Sequence, residues 1–329
     1  MFDKTVVITG GNSGLGYECV KEMAASQQGW CIVIASRSQQ KASEAIKKLI
    51  TRLPEAKVAA VPLDLASLES VRSFARDFGT RNLPPLRALV CNAGIQVVSG
   101  TTYTQDGFET TFGVNHLGHF LLTHLLLNFF VAPARIVVIS SDTHDPLQKT
   151  GMPEPFYDTA ASLAWPEKSP IRSLSIEKSA TTGRRRYTTS KLCNLFFSYE
   201  LSSRVQAEGL GTVQKPITVN AFNPGLMPGT GLARDYNPLQ RFAWDFILPV
   251  IRPIVGPFIS MHSVRESGKA LARLLLDPTI ESISGKYFSG MREMQSSKES
   301  YDRQKALDLW ETSVKLVKLT RQETPLSIE

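Results

Sequence analysis

Tyr187 and Lys191 stand four residues apart in Arg185-Arg-Tyr-Thr-Thr-Ser-Lys-Leu-Cys-Asn194. On a helix, positions i and i+4 share a face, so the phenol and the ammonium can point into one site. A phenol with an unperturbed pKa of ~10 is a poor acid–base group at neutral pH. A fixed cation beside it favours the phenolate and lowers that pKa. Taken alone the spacing is common by chance, and a surface Tyr beside a solvated Lys accounts for it as well. The motifs around it decide between the two.

Near the N-terminus, Thr9-Gly-Gly-Asn-Ser-Gly-Leu-Gly16 follows an apolar strand and opens a helix. Glycines at 10, 14 and 16 permit a tight turn, close approach of backbone to a pyrophosphate, and close helix–strand packing. The helix N-terminus, with Asn12, Ser13 and Leu15 in the turn, presents N–H groups to phosphate. The strand–loop–helix setting makes this a dinucleotide signal rather than a chance match. The second strand ends in Ser36-Arg37, with Lys41 one helical turn later, where an NAD site usually carries Asp or Glu. A guanidinium and an ammonium suit a 2′-phosphate, so NADP(H) is expected over NAD(H).

The elements that must position these groups alternate. Apolar, β-rich runs at 5–9, 31–35, 58–62, 88–92, 135–140, 217–222 and 286–288 read as strands. Helix-period segments lie near 15–26, 39–52, 67–78, 107–130, 187–206, 263–276 and 302–318. The strands are continuous apolar runs, as in Cys31-Ile-Val-Ile-Ala35, which signals a parallel sheet covered on both faces. The order predicts an α/β fold: one Rossmann-type doubly wound parallel sheet with right-handed crossovers over residues 1–329. Two segments break the rhythm. Residues 142–183 are polar and proline-bearing and read as a loop insertion. Residues 226–262 are apolar, but Asp245, Arg252 and several prolines argue against a spanning helix. They read as a substrate lid, with a membrane-resting patch as the alternative.

The 329 residues include 42% hydrophobic and 20% charged residues, an ordinary globular balance. Part of the +7 net charge sits in Arg184-Arg185-Arg186, which reads either as a solvated run or as an attractor of anions. No zinc-finger spacing or basic–aromatic interleaving is present, so nucleic acid is not expected as a partner. Cys19, Cys31, Cys91 and Cys193 form no C-x-x-C pair and no metal cluster. That pattern fits a reducing cytosol, and no metal is expected. A strand begins almost at the first residue, leaving no room for a signal peptide.

Together, Thr9-Gly-x-x-x-Gly-x-Gly16, Asp64-Leu-Ala-Ser67, Asn92-Ala-Gly94, Asn115, Ser141 and Tyr187-x-x-x-Lys191 resemble the ordered motifs of short-chain dehydrogenases/reductases, over about residues 4–319. The resemblance implies that Asp64 and Leu65 meet the adenine and that Asn92-Ala93-Gly94 packs behind the cofactor. It implies that Asn115 supports a water-linked proton relay to Lys191 and that Ser141 binds the substrate oxygen. Tyr187 would exchange the proton, while Lys191 holds the ribose. Pro224-Gly225 would flank the nicotinamide. The family often places Thr five positions after that proline; here Gly229 stands there and Thr230 follows.

Asn115-His-Leu-Gly-His-Phe-Leu-Leu-Thr-His124 is similar both to retinol dehydrogenases and to light-dependent protochlorophyllide oxidoreductases. In the latter, a Cys two positions past the active Lys is thought to matter, and Cys193 stands there, as a substrate contact or as a core residue. Gly94 and Ser140-Ser141-Asp-Thr-His144 depart from the pigment enzymes toward the carbonyl branch. The expected activity is hydride transfer between NADP(H) and a carbonyl or alcohol of a bulky apolar substrate such as a retinal-like, lipid or aromatic compound. The alternatives are pigment photoreduction and a non-catalytic dinucleotide sensor. His116 and His119 read as packed or surface residues.

Overall fold

The computed structural model describes residues 2–168, 179–228 and 261–328. In chain order the first half runs β1 (Lys4–Thr9), α1 (Gly14–Ala25), β2 (Trp30–Ser36), α2 (Gln39–Arg52), β3 (Lys57–Pro62), α3 (Leu68–Thr80) and β4 (Leu86–Cys91). Next come α4 (Thr110–Phe112), a π-helical turn (Gly113–Leu117), α5 (Gly118–Leu127) and β5 (Phe130–Ile139). The remainder is α6 (Ala160–Ala164), α7 (Ser179–Ala207), β6 (Ile217–Asn223), α8 (Val264–Leu276), β7 (Tyr287–Ser289), β8 (Arg292–Met294) and α9 (Arg303–Leu316).

The strands form one sheet in the order β3-β2-β1-β4-β5-β6-β7-β8. All pairs are parallel except β7–β8. Alternate residues of each strand feed two apolar layers. Val6, Ile8, Ile32 and Ile34 pack with α1, α2 and α8, while Val7, Val33, Leu89 and Val138 pack with α3, α5, α7 and α9. Burial on both faces explains why the strands carry unbroken apolar runs. Strand order reverses between β1 and β4, and ligands of such sheets bind at the carboxyl ends beside that switch.

Several boundaries differ from the sequence pattern. The predicted helix 107–130 is shorter, and residues from 130 on belong to β5. Its middle is a π-turn, a distortion common at functional sites. Helix α7 begins at Ser179 rather than at 187. At Gly183, in the first turns of this helix, a Cβ would lie 2.3 Å from Val98 O and 2.4 Å from Val97 O. Glycine is therefore required by close approach of the helix to that loop. β8 was not legible: it has three residues, all exposed, two of them charged.

The insertion is structured where it is described. It folds into short turns and α6, and its Tyr157 hydroxyl donates to Asp308 Oδ2 on α9 at 2.6 Å. The ends of the predicted lid meet, since His262 N–H donates to Leu226 O at 3.0 Å; residues 229–260, with Thr230, lie outside the described residues. The C-terminal helix α9 packs on the body, with Trp310 buried against Phe120, Phe197 and His124. No helix among the described residues is long and apolar enough to cross a membrane.

Candidate active site

The phosphate end is shaped by backbone. Gly10 and Gly14 have φ of +65° and +53°, values that suit glycine. A Cβ at Gly16 would lie 2.6 Å from Asn92 Nδ2 and 2.7 Å from Gly10 O, so α1 starts tight against the strand ends. Gly14 has open space on the side where a Cβ would stand. Ser13 caps α1 without a side-chain bond, and the first turn carries no acidic residue. Free N–H groups, a positive dipole end and an open glycine together fit a pyrophosphate. Asn12 Oδ1 accepts from Ser36 Oγ at 3.1 Å, tying the loop to the end of β2, where Arg37 and Lys41 are exposed. Asp64 is half-buried after β3; its Oδ1 accepts from Ala66 N at 3.0 Å, while Leu65 packs beneath Gly118. Pro224 and Gly225 follow β6 at the same edge of the sheet.

The opposite end is built from side chains. On α7, Lys191 Nζ lies 5.4 Å from the Tyr187 ring centroid. Both are buried, at 4% and 7% exposure, which overrules the picture of a surface pair. Lys191 Nζ donates to Ile139 O at 3.2 Å, Asn194 Nδ2 donates to the same carbonyl at 2.9 Å, and Ser140 Oγ donates to Lys191 O at 2.8 Å. These bonds staple the end of β5, and with it Ser141, to the helix. Burial pushes the Lys191 ammonium down to about 8.

Asn115, on the π-turn, grips the loop after β4. Its Oδ1 accepts from Ile95 N at 2.8 Å, and its Nδ2 donates to Ile95 O and to Ser190 Oγ, both at 2.9 Å. Ser190 in turn donates to Tyr187 O at 2.7 Å. Gly94 completes the cluster: a Cβ there would lie 3.3 Å from Asn115 Oδ1 and 3.7 Å from Lys191 Nζ. Thr9 was not singled out from sequence, yet its Oγ1 accepts from the N–H groups of Asn92 and Ala93, both at 2.9 Å. With both lone pairs so used, its hydrogen is shared between His119 Nε2, 2.9 Å away, and Val90 O at 3.2 Å. His119 Nδ1 then donates to Asn115 O, and burial pushes this histidine down to about 4, keeping it neutral. His119 is thus a buried brace between phosphate loop and π-turn.

A family model for short chain dehydrogenases matches residues 4–150. The chain is 35% identical over 316 residues to the WW domain-containing oxidoreductase of Homo sapiens, covering 95% of this chain and 68% of that protein. It is 34% identical over 320 residues to retinol dehydrogenase 13 of Mus musculus (96% and 84%). It is also 34% identical over 328 residues to the chloroplastic protochlorophyllide reductase of Daucus carota (96% and 78%). The NADPH-bound carbonyl reductase from chicken fatty liver shares the fold, with a TM-score of 0.59 at 19% identity, covering 90% of this chain and 100% of that one. The chain belongs to the short-chain dehydrogenase family.

Within this dehydrogenase, Cys193 does not reach the cluster. It is wholly buried in the apolar core with Leu192, Phe196 and Phe197, and burial drives its thiol well above the ordinary range. Two residues past Lys191 the helix has turned by about 200°, so the thiol faces the α9 side, toward Asp308, rather than the sheet edge. Its reading as a substrate contact gives way to core packing. Among the described residues no group of His, Cys, Asp or Glu could hold a metal. Sequence reasoning also missed Ser190, although its place one residue before Lys191 could have flagged it.

Proposed function

We propose that this dehydrogenase interconverts a carbonyl and an alcohol on a bulky apolar substrate, with NADP(H) as cofactor. The observation that carries the proposal is the buried Tyr187–Lys191 pair, stapled to the strand end that carries Ser141. A bound nicotinamide dinucleotide supplies or accepts the hydride. Gly10 to Gly16 would hold its pyrophosphate, Arg37 and Lys41 its 2′-phosphate, and Asp64 and Leu65 its adenine. Lys191 would hold its ribose, and Asn92-Ala93-Gly94 with Pro224-Gly225 would flank it. Ser141 donates a hydrogen bond to the substrate oxygen and orients it. Tyr187 gives that oxygen a proton in reduction and takes it back in oxidation. The Lys191 charge beside the ring stabilises the phenolate that forms. Asn115 keeps the Ile95 loop against α7. The apolar composition of segment 226–262 is in keeping with a retinal-like, lipid or aromatic compound.

The test is NADPH oxidation with retinal, nitrobenzaldehyde and a long-chain alkyl ketone, wild type against Tyr187→Phe. Turnover should fall about 10²–10⁴-fold in the variant. NADPH binding without Tyr187-dependent turnover of any carbonyl would instead point to a sensor. Light-triggered loss of protochlorophyllide absorbance would point to the pigment reaction, against which the buried Cys193 speaks.

A further inference from the structure

Ser141 Oγ donates to Asp142 Oδ1 at 3.1 Å and accepts from the Thr143 N–H at 3.3 Å. A serine hydroxyl has one hydrogen and two lone pairs. While the hydrogen lies on Asp142, Ser141 has none to give to a substrate oxygen. The Asp142 carboxyl also meets the side chain of Asn223, whose Oδ1 accepts from Gly225 N at 3.0 Å. His144 braces the turn from behind: its Nε2 accepts from Ser297 N at 3.0 Å, which leaves Nδ1 to donate to Ser141 O.

We propose that Asp142 is a positioning residue that gates Ser141: as a carboxylate it holds the hydroxyl hydrogen, and once protonated it releases that hydrogen to the substrate oxygen. The proposal rests on Ser141 facing the substrate. Two effects act in the same sense. A hydrogen bond to a charged acceptor is about twice as strong as one to a neutral acceptor. A negative charge beside an oxygen that gains negative charge also opposes the reaction. Both directions pass through one transition state, so the gate slows reduction and oxidation alike.

Burial raises the Asp142 carboxyl, against the pull of Ser141, His144, the Thr143 N–H and Asn223. Among the described residues, the other titratable groups packed around this turn include Asp145, which follows His144 and acts on it, Tyr287 on β7, and Tyr187, Lys191 and Tyr199 on α7. The sign follows directly. Below the pKa of the carboxyl the gate is open; as pH rises through it, the gate closes.

The experiment is the pH profile of kcat/KM with NADPH and nitrobenzaldehyde for wild type, Asp142→Asn and Asp142→Ala, repeated in a Ser141→Ala background. Wild type should lose about tenfold in activity as the gate closes, a step smaller than deletion of an oxyanion donor. Both Asp142 variants should lack the step and exceed wild type on its alkaline side. Without the Ser141 hydroxyl, Asp142→Asn should change nothing, because the coupling runs through that group. Unchanged melting temperature and NADPH affinity show that a variant has folded, and either Asp142 variant suffices. A profile untouched by both substitutions, or an effect that persists without Ser141, overturns the gate alone. Turnover that survives Tyr187→Phe unchanged overturns the site assignment, and the gate with it.

Discussion

The phosphate loop and the Tyr187–Lys191 cluster lie at the carboxyl ends of one sheet, yet they are held in opposite ways. At the loop, shape comes from backbone: positive φ at Gly10 and Gly14, a glycine at 16 where no Cβ fits, and exposed Ser13, Arg37 and Lys41. At the cluster, shape comes from buried side chains, with Asn115, Lys191 and Tyr187 at 0%, 4% and 7% exposure. One end is suited to bind a large, polar, anionic ligand that brings its own charge. The other, on the function proposed, would have to fix a proton to within a fraction of an ångström, and a web of charge-assisted and neutral hydrogen bonds suits it to that. Substitutions should therefore act mainly on chemistry at one end and on affinity at the other.

The largest contrast is expected at Lys191. Lys191→Met should lower kcat/KM for carbonyl reduction about 10³-fold, within the range of lost acid–base assistance. The wild-type profile should also carry the signature of the ammonium. Burial places it at about 8, so it is charged below that pH and loses its charge as pH rises through it. The kcat/KM against NADPH, which reports the free enzyme, should fall on the alkaline side accordingly. Measured in an Asp142→Asn background, which lacks the Ser141 step, a profile flat through that range, or a Lys191→Met variant that keeps the limb, would remove Lys191 from the proton-transfer end.

A smaller effect, and one confined to affinity, is expected at Gly16. The Cβ of Gly16→Ala meets Asn92 Nδ2, which is already engaged in a 2.7 Å bond to Thr9 O, and the Gly10 carbonyl. Overpacking of this kind costs about 1–3 kcal/mol, so NADPH should bind roughly ten- to hundredfold more weakly, while the rate from the saturated complex changes little. Titration of NADPH fluorescence against single-turnover rates separates the two. A loss carried by kcat alone would erase the division between the two ends.

That division also marks what could be read from the chain alone. The glycine turn and Tyr187-x-x-x-Lys191 were legible because each lies on consecutive residues of one element, where spacing fixes geometry. The sheet was legible for a similar reason: strands buried on both faces leave unbroken apolar runs. The bonds that set the cluster were not, because they join distant parts of the chain. Asn115 grips Ile95 twenty positions away, and Ser140 reaches Lys191 across fifty-one. Cys193 shows the converse limit. Proximity in sequence to Lys191 suggested a shared site, but a step of two on a helix turns a side chain to the far face. The early start of α7 was hidden by the polar composition of 142–183, and the need for Gly183 within it is set by the Val97–Val98 carbonyls rather than by local propensity.

The smallest effect belongs to the exposed cations. Arg37 follows the end of β2 and Lys41 lies in the first turn of α2, both open to solvent. Neither is needed to hold the loop, since Asn12 is fixed by Ser36. Replacing both with Ala should therefore leave folding and NADH binding unchanged and weaken NADPH by about tenfold, more at low salt than at high, because exposed charges are screened. Paired titrations of NADH and NADPH at two ionic strengths measure this directly. Equal losses for the two cofactors would mean that the cations shape the loop rather than read the 2′-phosphate. The preference for NADP(H) would then have to come from a group elsewhere at the phosphate end.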